Sequence, residues 1–171
     1  LLNTNHVKLL FSIFEKNSAD IRLVGGCIRD KLMHREVKDI DTATKIEPKE
    51  VLNLLENNNI EYDDFAIQYG SIISYPLNKK IQITTLREDV NQLGRHTNVI
   101  YTTDWKKDAA RRDFTFNALY LGVNNKLYDY FDGQSHLREK KIKFIGEIED
   151  RIKEDYLRIY RYFRFLGLFE I

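Results

Sequence analysis

Apolar positions recur at helical spacing through "HVKLLFSIFEK" (6–16), which predicts an amphipathic helix. "IRLV" (21–24) reads as a short buried strand, broken by Gly25-Gly26 into a helix beginning near Cys27. "DIDTAT" (39–44) resembles a second strand, and Pro48 suits the first turn of a helix through "PKEVLNLLENN". "SIISYPL" and "KIQITTL" predict an antiparallel hairpin joined by "NKK". From Arg87 to Thr103 the pattern loses its period, and irregular chain of that length is expected to be functional or disordered. "FNALYLGV" and "KLYDYF" give further strand-like pieces around "NN". "EDRIKEDYLRIYRYFRFLG" (149–167) predicts one long helix. Its apolar face, Ile152, Tyr156, Ile159, Phe163 and Leu166, calls for a partner, so a further helical domain is expected to follow.

Length changes this picture little: 171 residues make one ordinary domain with room for the start of a second. The opening Leu1 in place of Met reads as a trimmed chain. No apolar run is long enough to span a membrane, and no secretory signal is evident. A single cysteine, Cys27, excludes an intramolecular disulfide and suggests the cytosol. The histidines (His6, His34, His96, His136) lack zinc-ligand spacing. A net charge of +1 does not announce a nucleic-acid binder. Local runs do more: "KKDAARRD", "LREKKIK" and "RIYRYFRF" are either solvated helix faces or phosphate-holding patches.

The chemistry concentrates in "LVGGCIRDKLMHREVKDIDTAT" (23–44). Side chains two apart on a strand share a face, so Asp39 and Asp41 lie together with Ile40 turned to the core. Two such like charges repel unless a proton or a cation intervenes. Magnesium prefers one or two carboxylates plus substrate phosphates, which suits this pair. Gly25-Gly26 lets backbone N–H groups and a helix N-terminus face a phosphate, and Arg29 can add charge. Alone, the acidic pair is more commonly a turn or cap feature, and Gly-Gly a tight bend. Together within so short a stretch they suit metal-assisted transfer of a nucleotidyl group. "RRD" (111–113) reads alone as a charged helix end, and Glu154 with Arg158 as a helical salt bridge of about 0.2–0.5 kcal/mol.

The sequence resembles the class II tRNA nucleotidyltransferase and poly(A) polymerase family. "LVGGCIRD…DIDTAT", "ITTLRED", "DAARRDFTFNALY", "YDYFDGQSHL" and "RIKEDYLRIYRYFRF" carry the resemblance, in family order from Leu23 to Phe165. "TTDWKKDAARRDFT" and "EDYLRI" look most like the CCA-adding enzymes of alphaproteobacteria. The resemblance implies an α+β fold. A nucleotidyltransferase head of the DNA polymerase beta type (1–138), with a mixed, largely antiparallel sheet flanked by helices, would precede the first helices of a neck (139–171). It implies attack of an RNA 3′-hydroxyl on the α-phosphate of ATP or CTP, releasing pyrophosphate. Asp39 and Asp41 would hold two magnesium ions (Mg2+). Gly25, Gly26, Arg29 and Asp30 would shape the triphosphate environment, supported by Arg87. Asp113 would accept from the ribose, Arg112 would fix sugar and phosphates, and Asn117 would support them. Asp155 and Arg158 would read the Watson–Crick edge of the base, Glu154 would orient Arg158, and Arg161 would lie near the phosphates. The implied partner is tRNA, or another RNA 3′ end, with CCA addition as the activity. Poly(A) addition, addition of only A or only C, and a truncated, weakly active RNA-binding remnant remain as alternatives.

The chain departs from that family pattern at a few places. Gln82 stands where an acidic residue is usual, Asp132 and His34 where glycine is usual, and His136 where aspartate is usual. "GEIED" lacks a frequent Asp-Pro. Such changes touch supporting positions rather than the carboxylate pair or the base readers.

Overall fold

A 3.6-residue apolar period places Val7, Leu10, Phe11 and Phe14 on one buried face of α1 (Asn5–Lys16). The computed structural model describes residues 1–93 and 96–169. After α1 come β1 (Ile21–Val24), α2 (Gly26–Leu32), β2 (Asp41–Thr44) and α3 (Pro48–Asn57), with Pro48 in the first turn of α3. Then follow β3 (Tyr62–Asp63), β4 (Ser71–Ser74), β5 (Ile81–Thr85), β6 (Arg87–Leu93), β7 (His96–Tyr101) and α4 (Trp105–Ala110). The described chain ends with β8 (Leu119–Leu121), β9 (Leu127–Asp129), α5 (Gly133–Arg138), α6 (Ile148–Glu154) and α7 (Leu157–Phe169).

The main sheet has the order β3-β4-β5-β2-β1-β8-β9. Its pairings are antiparallel except for β2 with β5, which run parallel with Asp41 opposite Gln82. Successive strand residues face opposite sides. Leu23 therefore joins Leu10, Phe14, Val51, Leu55 and Ile83 under α1 and α3, while Val24 joins Ala43, Leu86, Trp105 and Tyr120 under α4. Asp41 lies two residues before Ala43 and takes the α4 side. A third cluster, Phe114, Phe116, Phe144, Phe165 and Phe169, docks α7 against the sheet end, with the Phe116 and Phe165 rings 5.0 Å apart. This mixed architecture agrees with the α+β expectation.

Two expectations need correction. Residues 87–93 and 96–101 are not irregular: β6 and β7 form an antiparallel ribbon pairing Arg87 with Tyr101, Glu88 with Ile100 and Asp89 with Val99. Gly94 and Arg95 lie outside the described residues. The long helix over 149–167 is two helices, because Asp155 adopts φ −153°, ψ 103°. Its Oδ1 then accepts from Leu157 N at 3.0 Å and caps α7. The apolar face expected to call for a partner is left open, Tyr156, Ile159, Phe163 and Leu166 being exposed, and only Ile152 packs against the third cluster. Arg158, Phe165 and Phe169 are buried.

At Gly133 the backbone approach is too close for any side chain. A Cβ there would press on the Thr115 carbonyl, with Phe116 Cα at 3.0 Å. Gly133 N also donates to Asp129 Oδ1 at 2.8 Å, which starts α5. Gly133→Ala is expected to destabilise the protein by about 1–3 kcal/mol through overpacking. Thermal melting should show it as a fall of about 2–4 °C per kcal/mol; an unchanged melting temperature would contradict the tight contact.

Candidate active site

β1 ends at Gly25, whose φ of +77° and ψ of −131° suit a residue without a side chain. Its amide still pairs with Leu119 O at 3.1 Å, while its carbonyl already accepts from Ile28 N and Arg29 N at 3.1 and 3.2 Å. Strand thus becomes helix within one residue. The bend opens onto a cleft of about 930 Å³ between the sheet end and α7. Gly25, Gly26, Asp41 and Gln82 line one side, Arg111, Arg112 and Asp113 another, and Asp155, Arg158 and Arg161 the side made by α7.

Asp41 stands at the start of β2, half-buried and facing this cleft. Burial pushes its carboxyl above the usual range and Asp39 adds to that, against the pull of Arg112 and Lys80. Asp39 is exposed and lies just ahead of the strand rather than in it. Even so, it reaches a hollow of about 220 Å³ that Asp41, Lys80 and Gln82 also line. The two carboxylates share that hollow, with Ile40 packed against the core, while only Asp41 of the pair lines the larger cleft. Gln82 sits opposite Asp41 and donates to Ser71 Oγ at 3.5 Å.

The remaining site residues form a chain of polar contacts across the cleft. Arg29 is buried, pairs with Asp30 at 2.8 Å and donates to Asn117 Oδ1 at 2.7 Å. The expected free charge is therefore already engaged. Asn117 donates in turn to Asp113 Oδ1 at 3.1 Å, and Asp113 Oδ2 pairs with Arg161 at 3.1 Å. Arg161 also reaches Asp155 Oδ2 at 3.1 Å. Glu154 and Arg158 make their ion pair at 2.8 Å despite the helix break between them. Arg158 donates as well to the carbonyls of Arg151 and Arg111, which places it in the wall rather than free in the cleft. Arg87 opens the ribbon and donates to Tyr69 O at 2.6 Å.

Sequence reasoning missed Asp108, Arg111, Asp89 and Arg151. Asp108 had a signal, since "DAARR" places arginines three and four residues after an aspartate on one helix. Asp89 had none, because the ribbon that carries it was not recognised. Cys27 is buried, and burial pushes its thiol up to about 11. Thiol alkylation at pH 8 is thus expected to be negligible in the native protein and complete in denaturant. Rapid native labelling would contradict that burial.

Carboxylates at the start of the central strand β2, beside a glycine bend and walled by arginines, fit a nucleotidyltransferase head. Residues 21–143 match the family model described as the poly A polymerase head domain, and the chain belongs to that family. The human protein named CCA tRNA nucleotidyltransferase 1, mitochondrial, is 42% identical over 167 residues, covering 97% of this chain and 38% of its own length. A CCA-adding enzyme of Oceanobacillus iheyensis is 37% identical over 144 residues, covering 83% of this chain and 35% of its own. Among solved structures, the Bacillus stearothermophilus CCA-adding enzyme in complex with CTP superposes with a TM-score of 0.84 at 28% identity. The match covers 94% of this chain and 38% of that one. The chain spans somewhat over a third of the length of these relatives. Among the described residues no helix is long and apolar enough to cross a membrane.

Proposed function

We propose that this chain is the catalytic head, with the first neck helices from about residue 139, of an enzyme that adds CMP and AMP to the 3′ end of tRNA. CTP and ATP would be the substrates and pyrophosphate the leaving group. The observation that carries this reading is the meeting of Asp41, the Gly25-Gly26 bend and the Asp155–Arg158 wall in one cleft. Relatives named for CCA addition, and neighbours solved with CTP or with a primer tRNA and an ATP analogue, support it.

Asp39 and Asp41 fit a hard divalent cation. They are carboxylates brought together at one hollow, and Asp41 is held above its usual range with Asp39 contributing. Magnesium needs only one or two protein carboxylates when phosphates complete its shell. Bound there, it would polarise the reacting phosphate and ease ionisation of the attacking hydroxyl. The protein's own residues would do the rest. Gly25 and Gly26 would let phosphates approach the backbone, and Arg112 would bring positive charge to them. Asp113, fixed by Asn117, would accept from the ribose. Asp155 and Arg158 would face the base. Cytosine and adenine both offer an amine beside a ring-nitrogen acceptor, matching a carboxylate beside a guanidinium, whereas uracil and guanine would set a carbonyl against Asp155.

The cytoplasm is the proposed compartment, on the strength of a single buried thiol; the vertebrate relatives carry "mitochondrial" in their names. Poly(A) addition is the second reading, favoured by the description of the matching family model. Incubating the full-length protein with tRNA lacking its terminus separates the two. Addition of a pair of cytidines from CTP alone, followed by one adenosine when ATP is supplied, is the expected result. Long A tails from ATP alone would overturn it.

A further inference from the structure

We infer that Asp108 is a positioning residue that aims Arg111 and Arg112 into the cleft and ties both to the base of the β6–β7 ribbon. This rests on the nucleotidyl-transfer reading of the cleft. Asp108 lies on α4 with its side chain 1% exposed. An ionised carboxylate so placed needs its oxygens satisfied, and here each oxygen has a pair of donors. Oδ1 accepts from Arg87 N at 3.1 Å and from Arg111 Nε at 3.1 Å. Oδ2 accepts from the Tyr120 hydroxyl at 2.6 Å and from Arg112 Nη2 at 3.2 Å. Burial alone would push the group up. The arginines, the tyrosine and the Arg87 amide outweigh it and hold the carboxyl at about 2, so it stays ionised at any working pH.

The donors come from β6, from the end of α4 and from β8, so one carboxylate joins three elements. Its effect on the arginines is directional. Arg112 has Nε on the Tyr120 hydroxyl at 3.3 Å and Nη2 on Asp108, which fixes the guanidinium and leaves Nη1 for the cleft. Arg111 spends Nε on Asp108 and has Nη1 4.0 Å from Asp89, leaving Nη2. Both guanidiniums line the cleft, and Arg112 is close enough to Asp41 to oppose the rise that burial gives its carboxyl. Without the anion between them, Arg111 and Arg112 would repel each other and swing apart. An arginine pair held in a fixed plane beside a carboxylate site suits a polyphosphate, and its value lies in needing no reorientation when the ligand arrives. The bond to Arg87 N adds a consequence: the base of the ribbon and the arginine pair move as one unit.

The test uses the full-length protein and compares binding of CTP with binding of CMP by titration, because arginines aimed at phosphates distinguish the two. Asp108→Asn keeps the size but turns an NH2 group toward donors. In samples shown by circular dichroism to be folded, it is expected to weaken CTP binding about tenfold or more while CMP changes less than about twofold. Its KM for CTP should rise while the KM for tRNA does not. Equal losses for CTP and CMP, or no loss of CTP binding, would overturn the assignment. Should Asp108→Asn not fold, Tyr120→Phe removes one donor from the same carboxylate and one acceptor from Arg112. The CTP-to-CMP affinity ratio should then fall about threefold; an unchanged ratio overturns the assignment equally. If the wild type adds no nucleotide to any RNA, the transfer reading fails, while the CTP-against-CMP comparison still decides the role of Asp108.

Discussion

Asp41→Asn is expected to lower CMP and AMP addition about a thousandfold or more while leaving the fold intact. The loss follows from removing the half-buried member of a carboxylate pair on which all the charge-stabilising chemistry would converge. Preservation of the fold follows from the sign of its pKa shift. Burial, with Asp39 adding to it, raises the Asp41 carboxyl in the folded protein. The folded state therefore takes up this proton more readily than the unfolded state does, and the ionised form at neutral pH works against folding rather than for it. Replacing it with an isosteric neutral amide should leave the melting temperature unchanged or slightly raised. The same shift sets the acid limb of the activity profile. As pH falls, Asp41 should lose its charge at a higher pH than an ordinary carboxylate, and activity should fall with it. More magnesium should move that limb to lower pH, because the ion competes with the proton for the same oxygens. Primer-extension rates of both proteins across pH and magnesium concentration, with parallel melting curves, check all of this. A variant retaining a tenth of wild-type activity would remove Asp41 from the centre of the chemistry, and one that melts well below wild type would contradict the destabilising sign of its buried charge.

Much of this site could be read from the residue pattern because its parts are local. The Gly25-Gly26 bend follows an apolar strand directly, and the carboxylates are two residues apart, so no distant contact is needed to bring them together. The "KIQITTL" hairpin was equally legible, since Ile81 and Ile83 alternate with polar neighbours and are buried. What the pattern hid were places where a side chain overrides periodicity. "EDYLRIYRYF" keeps a helical period throughout, yet the Asp155 carboxylate satisfies Leu157 N and the first helix stops. α7 buries Arg158 together with Phe165 and Phe169 and leaves Ile159, Phe163 and Leu166 exposed, so the apolar stripe read from spacing is the uncovered one. The ribbon was hidden for another reason. It stands outside the main sheet as a two-stranded pair, and residues 87–90 are all half-buried, so burial does not alternate along them. Asp108 was legible only as helix spacing. That it collects donors from β6 and β8 depends on contacts 21 and 12 residues apart in the chain.

Asp155→Asn is expected to collapse the preference for CTP over UTP, from about a thousandfold or more to about tenfold, with little loss of stability. A site built to pair polar groups rejects the wrong partner strongly, because mismatching leaves buried groups unpaired. The carboxylate only accepts, so it suits an amine and repels a carbonyl. An amide side chain both accepts and donates, and by rotating it can face either base. Stability should hold because Asp155 also caps α7, and asparagine keeps an oxygen able to accept from Leu157 N. Asp155→Ala separates the two duties: it should lose selectivity and in addition about 1 kcal/mol of helix capping. Arg161 completes the argument. Its contact with Asp155 becomes a neutral one in Asp155→Asn and is lost in Asp155→Ala, but its ion pair with Asp113 at 3.1 Å remains, so the ribose side of the cleft should stay ordered. Values of kcat/KM for CTP and UTP on one tRNA, with melting curves for each variant, decide the matter. If the CTP-to-UTP ratio of Asp155→Asn stays at the wild-type value, Asp155 is a cap and a counter-ion, and base selection must lie with other groups of the cleft.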